Sequence, residues 1–142
     1  MGPNTFLGLL HNALTLGSTA SEPDELLWAS DNDFPVHTIA LTETEVKGWE
    51  AKTVDGRPVR PGSYIGGQLR TLAFEPVFLD DLGEDSLTAA RWLGLFALFG
   101  EVNLRQQCIF QRPTDQPDEY DFYLLAHIGG EWVGLKTKVV ET

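Results

Sequence analysis

Gly129-Gly130 separates two stretches, Tyr120 to Ile128 and Glu131 to Val140, that are rich in β-branched and aromatic residues. A two-residue hairpin loop needs positive φ at both of its positions, and glycine takes that conformation without steric cost. The two stretches are therefore expected as antiparallel strands. Along the first, Phe122, Leu124 and Ala126 alternate with Tyr123 and Leu125, so both of its faces are apolar. A strand of that kind belongs in the middle of a sheet that is covered on each side. Gln106 to Arg112 reads as a third strand of the same set. Helices on both sides of the sheet would provide that cover.

Two helices are expected to supply the cover. From Thr5 to Leu16, Phe6, Leu9, Leu10, Ala13 and Leu14 recur at three- and four-residue spacing, which draws one apolar stripe on a helix that Gly17 would end. A second helix is expected to start near Asp85 or Ser86, either of which can cap exposed amides, and to stop at Gly100. Its apolar residues Leu87, Trp92, Leu93, Leu95, Phe96, Leu98 and Phe99 exceed one stripe, so it is covered on more than one side. Gly94 inside it costs about 1 kcal/mol relative to alanine, which implies close packing there. Pro35 to Leu41 is a further candidate strand, and it carries His37. Between Glu43 and Asp80, Gly56, Pro58, Pro61, Gly62, Gly66 and Gly67 argue for turns and short extended pieces. The same region holds a basic island, Lys47, Lys52, Arg57, Arg60 and Arg70, without the Gly-Lys-Ser or Gly-Lys-Thr that a phosphate loop requires.

A chain of 142 residues, 42% hydrophobic and 22% charged, matches one globular domain over 1–142. No apolar run is long enough for a membrane span, and a signal peptide's basic start and cleavage site are missing, so the expected location is cytoplasmic. Cys108, the one cysteine, is expected as a buried inert thiol. The net charge of −11 is concentrated in three runs: Glu22 to Asp33, Glu75 to Asp85, and Asp115 to Asp121. Such a chain repels nucleic acid and anionic membranes and is steered toward a basic partner. The same runs would also serve to solvate loops. Catalytic motifs are missing, and His11, His37 and His127 are scattered, so the chain is not expected to be an enzyme. The enzymatic rival would need His37 and His127 to work with an acid such as Asp121.

The final segment, Gly134-Leu135-Lys136-Thr137-Lys138-Val139-Val140-Glu141-Thr142, is apolar to within two positions of its end, so that end is expected to be held in place. Thr142 offers a carboxylate and a hydroxyl, and Glu141 a second carboxylate, the hard oxygen donors that suit magnesium. This segment resembles the carboxyl end of the nuclease A inhibitor family. Leu26-Leu27-Trp28-Ala29-Ser30-Asp31-Asn32-Asp33-Phe34-Pro35 is similar to that family's N-terminal acidic motif.

The resemblance implies an α+β fold, a three-layer α/β/α sandwich that is PR-1-like with a mainly antiparallel sheet. It implies an inhibitor of a sugar-non-specific, magnesium-dependent DNA/RNA endonuclease, a monomer when free, with no cofactor of its own and no direct contact with nucleic acid. By the same resemblance Thr142 coordinates the partner's magnesium, and Asp31, where the family has glutamate, stands in for the scissile phosphate's charge. Asp81-Leu82 takes the place of an Asp-Trp pair that forms a second contact, so the tryptophan is lost. Partner binding is thus assigned to Asp31, Asp81, Leu82, Glu141 and Thr142. The alternative is an acidic protein-binding module of the same fold without inhibitory activity.

Overall fold

A computed structural model describes residues 1–16, 27–29, 33–49, 53–54, 57–58, 60–62 and 82–140, with side chains over 1–16, 34–49 and 90–140. In chain order its elements are α1 (Pro3–Leu14), β1 (Leu27–Ala29), β2 (Asp33–Pro35), β3 (His37–Thr42), α2 (Glu43–Lys47), β4 (Thr53–Val54), β5 (Arg57–Pro58) and β6 (Arg60–Gly62). Then come α3 (Leu82–Gly100), a 3-10 turn (Leu104–Gln106), β7 (Gln107–Pro113), β8 (Glu119–Ile128) and β9 (Glu131–Val140). Five strands form the main sheet in the order β3-β9-β8-β7-β6, with every neighbouring pair antiparallel. The class is α+β. The short strands of the middle region make a β4–β5 hairpin and the β6 edge of the main sheet.

The expected hairpin is present. Ile128 faces Glu131 across Gly129 and Gly130, whose φ angles are 58° and 81°. β8 is the central strand, and its alternation sorts its side chains into two apolar clusters. Tyr120, Phe122, Leu124 and Ala126 join Val133, Leu135 and Val139 of β9, Ile109 of β7, and Phe6, Leu10, Leu14, Trp92, Leu95 and Phe99 of α1 and α3. Tyr123 and Leu125 turn the other way, onto Phe110, Val46 of α2 and Trp49. The Trp49 ring lies 4.7 Å from that of Tyr123 and edge-on to Phe110 at 5.5 Å. Burying each such side chain is worth roughly 1.5–3 kcal/mol, so both clusters hold the sheet.

The two faces are covered differently. On the first, α1 and α3 lie antiparallel: the rings of Phe6 and Phe99 are 5.5 Å apart, Gly94 sits against Ala13, and Arg91 Nε donates to the Leu16 carbonyl at 2.8 Å. The carboxyl end of α3 is tied to β7, since Gln107 Nε2 donates to the Phe99 and Val102 carbonyls, each at 2.9 Å. On the second face the described cover is α2 with Trp49. A capping box starts α2. The Thr42 hydroxyl accepts from the Glu45 amide while the Glu45 carboxylate reaches back to the Thr42 amide. That Thr-x-x-Glu signature is readable in the sequence and supplies a helix that periodicity over five residues could not reveal.

Several boundaries differ from expectation. α1 begins at Pro3, whose missing amide is harmless in a first turn, and ends at Leu14 rather than at Gly17. Thr15 is its C-cap, with φ −103° and ψ 12°, and both its amide (3.0 Å) and its hydroxyl (2.8 Å) donate to the His11 carbonyl. α3 begins at Leu82, so Asp85 and Ser86 lie inside the helix instead of capping it. The strand expected from Pro35 is broken at Val36, which separates β2 from β3. Cys108 is half-buried against the second cluster instead of fully enclosed.

Gly134 has the least room in the sheet. A β-carbon there would overlap the carbonyl of Leu124 and meet the backbone of Leu125 in the neighbouring strand. Gly134→Ala is therefore expected to lower unfolding free energy by about 3 kcal/mol or more, because backbone cannot yield as a side chain can. Urea denaturation checks this, and a loss below about 1 kcal/mol would show that β8 and β9 can part there.

Candidate functional site

The turn at Gly129-Gly130 marks one end of the molecule. Pro3, at the start of α1, packs on Gly129, and Phe99, near the finish of α3, is bonded to Gln107 at the start of β7. From that end α1 and β9 both run away toward the opposite one. Because α3 is antiparallel to α1, its first residue, Leu82, lies toward that opposite end too.

The β1–β2 hairpin approaches the same place. His37 pairs with Lys136, and going backward from His37 the chain follows β9 toward its carboxyl end. The Thr137 hydroxyl secures it, donating to the Pro35 carbonyl at 3.0 Å and to the Phe34 carbonyl at 3.4 Å. β1 then pairs with β2 through Leu27 with Pro35, Trp28 with Phe34 and Ala29 with Asp33. Both strands contact β9. Thr137 is buried, so its two bonds are made out of water, where a polar group left unpaired is costly.

Of the residues expected to bind a partner, Asp31, Asp81, Glu141 and Thr142 lie outside the described residues, as does everything in 63–81. Leu82 is the first residue of α3. What is described is the framework on which they are carried. Asp31 stands between β1 and β2, Asp81 immediately before α3, and Glu141 immediately after β9. The β1–β2 hairpin contacts β9, and the start of α3 is directed toward the same end of the molecule. This convergence joins segments about 50 and 60 residues apart in sequence, and no local pattern announces it.

The described residues also place cations here that sequence reasoning had passed over. Lys136 and Lys138 project from the second face of β9, Lys136 with its Nζ 5.5 Å from the centre of the Tyr123 ring and Lys138 4.0 Å from Glu119 Oε1. Farther across that face the Arg112 guanidinium lies 4.3 Å above the Trp49 ring. Alternation along β9 was the available signal, since Lys136 and Lys138 must share a face.

The histidines are not gathered. His127 Nε2 is 2.6 Å from Glu43 Oε1, an ion pair when the imidazole is protonated, and its ring lies 4.8 Å from that of Trp132. Asp121 is six residues away along the same strand, about 20 Å. His37 pairs with Lys136 and not with this end of β9. The arrangement that the enzymatic reading required is therefore not assembled. No described helix is long and apolar enough to cross a membrane. Compared with known proteins, the chain matches no family model and no curated sequence.

Thr137→Val keeps shape and removes both hydroxyl bonds to β2. Stability is expected to fall by about 1–2 kcal/mol, and amide exchange to quicken over 27–35 before the rest of the sheet. Uniform acceleration, or none, would show that the β1–β2 hairpin is held by something else.

Proposed function

We propose that this chain is a proteinaceous inhibitor of a magnesium-dependent, sugar-non-specific endonuclease, built as a three-layer, PR-1-like variant of the α+β fold. The reading is supported by the path of the chain: β2 is bonded to β9 near its carboxyl end, and the amino end of α3 is directed toward the same end of the molecule. The residues assigned to partner binding by sequence follow directly from those elements.

The chemistry follows from what a nuclease cleft must offer. It must be basic to hold phosphates, and its magnesium must keep open positions for the scissile group. An acidic protein enters such a cleft under electrostatic steering. Asp31 takes the phosphate's electrostatic role, and with Thr142 at the carboxyl end of the chain its oxygens replace water or phosphate oxygen on the metal. Aspartate reaches one methylene less than glutamate, and Leu82 supplies no aromatic anchor, so the target is a nuclease whose cleft accepts both changes.

Titrating the chain against such an endonuclease digesting plasmid tests this, with stoichiometric protection expected and its absence favouring a non-inhibitory binding module. Deleting Thr142 is expected to weaken inhibition at least about a hundredfold if a metal ligand is lost, close to 3 kcal/mol. Unchanged inhibition would remove the tail from the site. Asp31→Asn is expected to slow association, and to do so more at low salt than at high salt, because screening already weakens a charge contact in the second condition. An equal effect in both would rule out charge mimicry.

A further inference from the structure

At the same end of the sheet a groove of about 310 Å³ is lined by Phe34, Pro35, His37, Lys136, Thr137 and Lys138. Its position follows from the chain path: β2 leaves β3 at Val36 and passes beside Thr137 instead of continuing the ladder. The bend opens a space walled by Phe34 and Pro35 on one side and by β9 on the other. Among the described residues, its lining holds two lysines and a histidine.

The nitrogen donors differ in how far they are already engaged. Lys138 faces acids, with Glu119 at 4.0 Å and Asp121 as its direct cross-strand partner. Lys136 lies over the Tyr123 ring and pairs across the sheet with His37, which is exposed. Directly opposed residues keep their β-carbons about 4.5–5.5 Å apart, so a lysine ammonium and an imidazole N–H here can converge on one acceptor. A group with several anionic oxygens suits that pair, and an apolar ring suits Phe34 and Pro35. The volume is at the lower limit for small-molecule sites, about 300 Å³.

We propose that this groove binds a small organic anion, an aryl phosphate or carboxylate, with its charged group between Lys136 and His37 and its ring against Phe34 and Pro35. The anion accepts from the Lys136 ammonium and the His37 imidazole N–H, and the ring leaves water. The reading does not depend on nuclease inhibition, because it concerns the chain alone.

Calorimetric titration of the full chain with phenyl phosphate, inorganic phosphate and benzamide tests it. Phenyl phosphate is expected to bind at least about tenfold more tightly than the other two, each of which lacks one half of the ligand. Lys136→Gln is expected to weaken it about tenfold and His37→Ala several-fold, while Arg105→Gln on the 3-10 turn changes nothing. Amide shifts in the unaltered chain, confined to 34–37 and 136–138, would give the same answer without any substitution. Undetectable binding of phenyl phosphate at millimolar concentration, benzamide bound as tightly, indifference to Lys136→Gln, or shifts centred elsewhere would each overturn the proposal.

Discussion

The pairing of β8 with β9 is the constraint on which the rest of the structure depends. It brings together the two longest strands, and β8 is apolar on both faces, so the sheet cannot leave either side wet. Once Gly129-Gly130 sets the register, every side chain of both strands is committed to a face, because a slip by one residue would exchange the two sets. Leu124, Leu135 and Ala126 then call α1 and α3 to one side, and Leu125 and Tyr123 call α2 and Trp49 to the other.

That arrangement explains why one end of the molecule gathers the candidate functional segments. α1 and β9 start beside the turn and run the same way, while α3 returns against α1 through Phe6 with Phe99, Gly94 with Ala13 and Arg91 with Leu16. The far end thus receives the finish of β9 and the start of α3. The Thr137 hydroxyl adds β2 to them, using two carbonyls that would otherwise interrupt an apolar contact. A single buried threonine on the last strand thereby joins the core of the fold to the segment carrying Asp31.

Charge is distributed unevenly over this end. The chain as a whole is strongly acidic, yet Lys136, Lys138 and His37 line a groove beside the β2–β9 junction. Long-range attraction and short-range recognition act over different distances in salt, so an acidic chain can carry a cationic groove without contradiction. The proposed inhibitory contact relies on the first property and the proposed anion site on the second.

The sequence by itself determined the hairpin at Gly129-Gly130 and the existence of both long helices, since each depends on neighbours within a few residues; the two-faced apolar β8 and the helical Gly94 announced a central strand and a tight contact without naming their partners. It also held the capping box of α2, although five residues leave no periodicity by which to see the helix. Helix limits were less legible: α1 ended at Leu14, before Gly17 was reached, and α3 began ahead of its apparent caps. Only the tertiary structure decided that β2 leaves the line of β3 at Val36 and bonds to Thr137, about a hundred residues later in the chain. The convergence of the candidate site and the groove at Lys136 both follow from that long-range contact, and long-range contacts leave no period in a sequence. The individual residues were visible from the start, but their proximity was not.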